Sequence, residues 1–145
     1  MDVYTAEEVP LLTALPIIRR LLLAGFDRER FPFTRTQIYI FAILSYKGSL
    51  TMSELAGYIS SSREQATRAM APLVDAGFAE RYTDPENRTH IHVRLTPLGR
   101  EELRAMRGSI RSNLNDRLAE SLTGAELAEL QETTQKLIAL LGKVV

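Results

Sequence analysis

Several residue types and patterns are missing from this 145-residue chain, and each absence excludes a class of function. Cysteine is absent, which excludes thiol redox sensing and thiolate metal sites and fits a reducing compartment. The longest apolar runs, 38–44 and 21–25, are far too short to span a bilayer, and we recognise no secretory signal. We therefore expect a cytoplasmic protein that does not interact with membranes.

Surplus charge is missing as well. The chain has 18 Lys and Arg against 18 Asp and Glu, so its net charge is zero, whereas many nucleic-acid-binding proteins are basic. Residues 60–94 also contain equal numbers of basic and acidic side chains. Apart from three lysines, all the basic residues are arginine, which suits bidentate contacts with phosphate and guanine. DNA binding would therefore depend on where the arginines lie.

The sequence also lacks the patterns of an enzyme. It has no nucleophile with a matching base, no glycine-rich phosphate loop and no cluster of metal ligands. Its two histidines, His90 and His92, alternate along one predicted strand without a third His or Cys, so phosphate contact or solvent exposure explains them better than a metal. We expect no catalysis, no cofactor and no metal.

Helix starts are the clearest positive signal in the chain. A hydroxyl residue followed three positions later by Glu or Gln predicts a capping box, and this pattern begins at Thr5, Thr34, Thr51 and Thr123. Thr96-Pro97 predicts another start, of a long helix reaching about Ser121. In the last two helices apolar residues recur every three or four positions, which indicates a seam for packing on another helix.

The first two helices differ in character. Pro10 and Pro16 interrupt the first one, so it is either kinked or begins afresh at Thr13. The second contains residues 38–46, which are apolar on nearly every side and should therefore be central and buried.

A helix-turn-helix is predicted from Thr51 to Ala76. A short helix turns Leu55, Ala56 and Ile59 inward, residues 60–62 form the turn, and a second helix (62–76) follows. In that second helix Pro72 removes the bond to the carbonyl of Arg68. Long side chains that donate hydrogen bonds, placed in the first turns of a helix, are typical of a DNA recognition helix. The candidate DNA contacts are Ser61, Ser62, Arg63, Gln65, Thr67 and Arg68, with capping (the serines) and a solvated face (the others) as the structural alternatives.

A β-hairpin is predicted to follow Gly77. Residues 78–82 alternate as a strand, 84–88 have the composition of a turn, and 90–95 alternate strictly, placing Ile91, Val93 and Leu95 on the buried face. The fold class expected is therefore mostly α with a small β-hairpin wing (α+β).

These segments, in this order, resemble the MarR family of winged helix-turn-helix regulators. The resemblance is carried by Leu50-Thr-Met-Ser-Glu-Leu-Ala56, Ala66-Thr-Arg68 with Leu73 and Gly77-Phe78, the wing at 84–88, and Leu95-Thr-Pro-Leu-Gly99. It implies a single MarR-type domain over 1–145, with the DNA-binding region at 34–96 and dimerisation helices at 5–30 and 97–142.

What the resemblance implies for function is a homodimer that binds a pseudo-palindromic operator in double-stranded DNA and represses transcription. Arg88 matches the wing arginine that enters the minor groove, and Asp84 matches the acid that steadies the wing. Asn87 departs from the family pattern, which commonly has a second aspartate at this position. A winged-helix adaptor that binds proteins without specific DNA binding is the alternative.

The resemblance also implies a small anionic or aromatic effector, bound between the dimer helices and the winged domain. Arg19, Tyr39 and Tyr46 are candidate lining residues, with core packing as the alternative for the tyrosines. Four arginines of the fifth helix either form a solvated face or line this cleft: Arg100, Arg104, Arg107 and Arg111.

Overall fold

A computed structural model of the chain describes residues 10–144. Within that range the secondary structure consists of α1 (Pro10–Leu23), α2 (Arg35–Lys47), β1 (Ser49–Thr51), α3 (Met52–Tyr58), α4 (Arg63–Asp75), β2 (Ala79–Thr83), β3 (Ile91–Leu95), α5 (Pro97–Ser121) and α6 (Gly124–Leu141). The predicted fold class, mostly helical with a small β-hairpin, is confirmed. None of the helices described has the length and apolar character needed to cross a bilayer.

The chain divides into two compact units. One unit, Asp27–Gly108, contains α2 to α4, the three strands and the start of α5. The other combines Met1–Phe26 with Ser109–Val145, of which 10–26 and 109–144 are described. The predicted helix-turn-helix and wing therefore belong to one unit.

Helix α2 begins at its predicted capping box. Thr34 Oγ1 accepts a hydrogen bond from Gln37 N–H at 3.1 Å, and Gln37 Oε1 accepts one from Thr34 N–H at 2.9 Å. The prediction that 38–46 is buried on nearly every side is wrong for Tyr39 and Tyr46, which are 45% and 78% exposed. One face of α2 packs on α4, β1 and β3, and these tyrosines lie outside that contact.

The core of the unit formed by 27–108 holds α4 in place. Its largest fully buried side chains are Phe41, Ile40, Leu44, Leu55, Met70, Leu73, Met106 and Val93. The ring of Phe33 lies edge-on to the rings of Phe41 and Phe78, with centroids 5.0 and 5.7 Å away. Burial of this set stabilises the unit by removing apolar surface from water.

Strand β1 is not apparent from the sequence pattern, because three residues are too few to show alternation. It pairs antiparallel with β3, with Leu50 opposite Val93, giving the strand order β1-β3-β2. Thr51 ends the strand and caps α3, its Oγ1 accepting a hydrogen bond from Glu54 N–H at 3.1 Å. The Glu54 carboxylate accepts from the Thr51 hydroxyl at 3.0 Å, so this predicted box forms only in part.

The predicted hairpin is confirmed, with slightly different ends. In its register Glu80 lies opposite Arg94 and Thr83 lies opposite Ile91. The prediction that Ile91 is buried is wrong: its side chain is 40% exposed, because it lies at the far end of the hairpin. The inward residues nearer the core are buried as predicted: Val93 and Leu95.

In the other unit, the described residues of α1 run from Pro10 through Pro16 to Leu23. The alternative of a fresh start at Thr13 is therefore wrong, and the predicted box at Thr5 lies outside the described residues. No residue of α1 is buried. Six of its large apolar side chains are 38% to 71% exposed: Leu11, Leu12, Leu15, Ile17, Ile18 and Leu22.

Helix α6 begins at its predicted box. Glu126 N–H donates to Thr123 Oγ1 at 3.2 Å, and Thr123 N–H donates to Glu126 Oε2 at 2.9 Å. Like α1, it contains no buried residue. Four of its apolar side chains are 39% to 65% exposed: Leu130, Ile138, Leu140 and Leu141.

Candidate nucleic-acid interface

The turn between α3 and α4 closes through two backbone hydrogen bonds. Ser61 N–H donates to the Ala56 carbonyl at 3.0 Å, and Ser60 N–H donates to the Gly57 carbonyl at 3.2 Å, the pattern of a Schellman motif. Ser60 has a φ of 51°, a left-handed conformation that glycine more often adopts. This motif ends α3 abruptly, so α4 can begin at Arg63, and the predicted helix-turn-helix is confirmed.

The orientation of α4 follows from its apolar residues. Ala66, Met70 and Leu73 are at most 1% exposed and face the core. Glu64 and Arg68, one turn apart, lie on the opposite face. These two residues, together with Arg63 and Thr67, line an open depression on the surface of the unit.

Ser62 and Gln65 form a complete capping box at the start of α4. Gln65 N–H donates to Ser62 Oγ at 3.2 Å, and Ser62 N–H donates to Gln65 Oε1 at 3.2 Å. The capping alternative thus holds for Ser62, and it also engages the side chain predicted to read a base. The Ser61 hydroxyl donates to the Ser62 carbonyl at 3.1 Å.

The remaining α4 side chains predicted to contact DNA differ in whether they already form hydrogen bonds within the protein. The guanidinium groups of Arg63 and Arg68 are exposed and have no hydrogen bond or ion pair with any residue in 10–144. The Thr67 hydroxyl donates to the Arg63 carbonyl at 2.9 Å, which leaves it only as an acceptor in this arrangement. The helix continues past Pro72 to Asp75.

The wing turn is held by local hydrogen bonds. Asp84 Oδ1 accepts from Glu86 N–H at 2.9 Å, and the Asp84 carbonyl accepts from Asn87 N–H at 3.1 Å. Asn87 Oδ1 accepts from Thr89 N–H at 3.3 Å and from the Thr89 hydroxyl. Arg88 lies between them, exposed, and its side chain has no partner among the described residues.

The outer face of the hairpin carries a stacked cluster that the sequence pattern did not reveal. The Arg94 guanidinium lies 4.2 Å from the Tyr82 ring centroid, and the His92 ring stacks on Tyr82 with centroids 5.4 Å apart. Arg94 Nε donates to Glu80 Oε1 at 2.7 Å, and this hydrogen bond raises the pKa of Arg94 above its ordinary value. His90 precedes the strand, and the described residues contain no group of three His, Asp or Glu suited to a metal.

The three candidate effector residues are distributed over both units. Arg19 is exposed on α1, in one unit, and Tyr39 and Tyr46 lie two turns apart on α2, in the other. Lys47 Nζ lies 5.4 Å from the Tyr46 ring centroid and 5.7 Å from that of Tyr58. Lys47 makes this surface cationic as well as aromatic, and the Tyr58 hydroxyl raises the pKa of Lys47.

Two side-chain contacts fix the first part of α5 within its unit. Arg100 Nη1 donates to the Leu95 carbonyl at 3.2 Å, so this arginine is not simply a solvated side chain. Glu102 accepts a hydrogen bond from Arg30 Nη1 at 2.8 Å. Arg104, Arg107 and Arg111 are exposed.

The sequence profile of the MarR family matches residues 33–91. The matched segment begins just before α2 and ends at the first residue of β3, so it contains α3, α4 and the wing turn.

Among curated proteins, the chain is similar to the transcriptional repressor MprA of Escherichia coli K12. The two are 32% identical over 96 residues, which is 66% of this chain and 54% of MprA. The chain therefore spans about half the length of the curated relatives it matches.

Solved structures of similar fold come from several bacteria. Wild-type apo MarR from E. coli has a TM-score of 0.73 at 24% identity, with 91% of this chain and 98% of that chain covered. RV1404 from Mycobacterium tuberculosis gives 0.73 at 23% identity, covering 92% and 90%. The regulator Tm0710 from Thermotoga maritima gives 0.73 at 18% identity, covering 92% and 95%. These similarities show the fold.

Proposed function

The chain belongs to the MarR family of transcriptional regulators, and we propose that it represses transcription by binding a pseudo-palindromic operator as a homodimer. Members of this family are non-enzymatic DNA-binding proteins, which agrees with the absence of enzyme patterns in the sequence. The MprA relative is itself described as a transcriptional repressor. Double-stranded DNA is the proposed partner and the cytoplasm the proposed site of action.

The observation that carries the proposal is the pair of unpaired guanidinium groups at the start of α4. Arg63 and Arg68 are exposed, while the other side of the same helix is packed at 0–1% exposure in the core. Arginine pairs bidentately with guanine O6 and N7, and a major groove about 12 Å wide admits a helix. Nothing within 10–144 competes for these donors.

Contacts to the DNA backbone would set the position of α4 in the groove. Ser62 uses its oxygen to accept from Gln65 N–H, which leaves its hydroxyl proton free for a phosphate at the helix N-terminus. Ser61 lies beside it. Arg88 at the tip of the wing turn would enter the adjacent minor groove, where narrow A·T-rich DNA attracts arginine.

A net charge of zero gives the chain no general attraction for DNA, so binding depends on local contacts, and a homodimer doubles the number of these contacts. The unit formed by 10–26 and 109–144 offers the surface: neither α1 nor α6 has a buried residue, and both carry long exposed apolar rows. Apolar patches of this extent on a soluble protein mark an interface. A second copy would bury these rows and hold two recognition helices at a fixed spacing.

Release by a small anionic or aromatic effector is part of the proposal. The candidate residues are exposed: Tyr39 and Tyr46 on α2 offer two aromatic rings for such a ligand, and Arg19 on α1 is a separate cationic candidate. An effector would act by binding one spacing of the recognition helices more tightly than another. Simple phenolic acids should raise the melting temperature of the protein and release it from its operator.

One observation favours a second function, that of a protein-binding adaptor: the net charge is zero. The two functions differ in their response to salt. Specific DNA binding through phosphate contacts makes log K fall with log[salt] by roughly 0.9 per phosphate neutralised. A slope near zero would favour the adaptor.

Selection of bound sequences from random DNA tests the proposed function. We expect a pseudo-palindrome whose half-sites are about 34–36 Å apart, one helical turn centre to centre. Recovery of a single unpaired half-site would contradict the dimeric mode of binding. Recovery of no enriched sequence would contradict specific DNA binding altogether.

A further inference from the structure

Glu64 is the feature of α4 that the proposed function leaves without a role. Its side chain is exposed, it lines the same open depression as Arg63, Thr67 and Arg68, and its carboxylate has no hydrogen bond or ion pair within 10–144. A carboxylate on a helix facing DNA is repelled by phosphates. Its position among the DNA-reading arginines therefore needs a compensating contact.

We propose that Glu64 determines operator specificity by accepting a hydrogen bond from the N4 amino group of a cytosine in each half-site. This rests on the proposed function, that is, on α4 entering the major groove. An ionised carboxylate only accepts hydrogen bonds. In the major groove the amino donors are cytosine N4 and adenine N6, and on adenine the acceptor N7 lies beside the donor and repels a carboxylate. Cytosine is therefore its best match.

The position of Arg68 supports this assignment. Glu64 and Arg68 are one turn apart on the same exposed face, a spacing at which opposite charges commonly pair, yet no ion pair joins them. Both side chains are thus available to the DNA. One helical turn rises 5.4 Å and one base-pair step 3.4 Å, so the two would read base pairs one or two steps apart.

The capping box strengthens the case, because it weakens the competing assignment. A bidentate contact between glutamine and adenine needs both the amide oxygen and the amide nitrogen. Gln65 Oε1 already accepts from Ser62 N–H at 3.2 Å. If Gln65 contacted adenine in this way, the cap of α4 would be broken. The side chains that remain free to contact bases directly are Arg63, Glu64 and Arg68.

Selection from random DNA at one fixed salt concentration, with three proteins, tests the inference. The proteins are the wild type, Glu64→Gln, and the matched control Glu101→Gln, which removes an exposed and unpaired carboxylate from α5. We expect the wild type and Glu101→Gln to enrich cytosine at one position of each half-site. Glu64→Gln should lose that preference by about tenfold or more and gain adenine at the same position, because glutamine pairs with adenine.

The outcomes separate the two proposals. If Glu64→Gln selects the wild-type motif unchanged and differs only in a lower melting temperature, Glu64 merely stabilises the N-terminus of α4 and the inference is wrong while the proposed function stands. If the wild type enriches no sequence, both are wrong. If Glu101→Gln changes the selected motif in the same way as Glu64→Gln, the effect is one of charge and the assignment to Glu64 is overturned.

Discussion

Gly99 lies directly against the backbone of Phe78: a Cβ atom on Gly99 would come within 1.8 Å of the Phe78 carbonyl oxygen. The same oxygen accepts a hydrogen bond from Thr96 N–H at 3.0 Å. Thr96 Oγ1 accepts from Gly99 N–H at 3.0 Å and donates its own proton to the Gly77 carbonyl. These contacts join the start of α5 to the end of α4 and the start of β2, so the same contacts hold α4 and the wing in place.

Gly99→Ala should destabilise the protein strongly. The added methyl group has to displace the backbone of Phe78, and such overpacking costs about 1–3 kcal/mol or more. Thermal unfolding should show a clear fall in melting temperature. Gly108→Ala is the control: nothing lies within 4 Å of its Cβ position, and alanine in a helix is favoured by about 1 kcal/mol. Equal effects of the two changes would contradict this account of Gly99.

Arg68→Ala should abolish specific operator binding and leave the fold intact. Its guanidinium has no partner within 10–144, so stability should hardly change, whereas a bidentate contact with guanine contributes about 1–3 kcal/mol of discrimination. Binding to operator and to scrambled DNA at fixed salt measures the effect. Arg104→Ala, which removes another exposed arginine, should retain discrimination. Unchanged operator affinity of Arg68→Ala would remove this residue from the interface.

Ser62→Ala should lower the free energy of unfolding by about 1 kcal/mol, because it removes the side-chain acceptor for Gln65 N–H at the start of α4. Urea denaturation measures this loss. Ser61→Ala is the matched control: the Ser61 hydroxyl only donates to a carbonyl, so its loss should cost less. A larger loss for Ser61→Ala would show that the cap has been assigned to the wrong serine.

Arg88→Ala should weaken the preference for A·T-rich flanks and lower the salt slope of binding by about 1 per wing. Its side chain is exposed and unpaired within the described residues, so the loop contacts of Asp84 and Asn87 should survive. Competition between A·T-flanked and G·C-flanked operators measures the preference. The control is Arg81→Ala, an exposed arginine of β2. The same preference in Arg88→Ala and wild type would argue against minor-groove entry.

Leu15→Asn should convert the proposed dimer to monomer without unfolding it. Leu15 is 64% exposed on α1, so the polar side chain costs the single chain little but disrupts an apolar interface. Sedimentation equilibrium gives the oligomeric state. Leu98→Asn, at a 50% exposed leucine in the unit 27–108, should leave the dimer unchanged. A wild type that is already monomeric would refute the proposed interface.

The sequence determined those features that depend on nearby residues. The starts of α2 and α6 follow from hydroxyl residues paired with Glu or Gln three positions later, and the hydrogen bonds of these caps are present. The hairpin follows from alternation on either side of a polar turn, and the helix-turn-helix from the spacing of its apolar residues. Each signal lies within a few positions, so it can be seen without knowledge of the tertiary structure.

Only the tertiary structure decided which side chains are free and which are occupied or buried. Strand β1 depends on pairing Leu50 with Val93, far apart in sequence, and the exposure of Tyr39 and Tyr46 depends on which face of α2 packs on the core. On α4, Gln65 is engaged in a cap while Glu64 remains unpaired, although both are polar residues of the first turn. Periodicity assigns residues to a face, but burial and hydrogen bonding depend on neighbours that the fold brings together, so only the fold separates a base-reading side chain from a structural one.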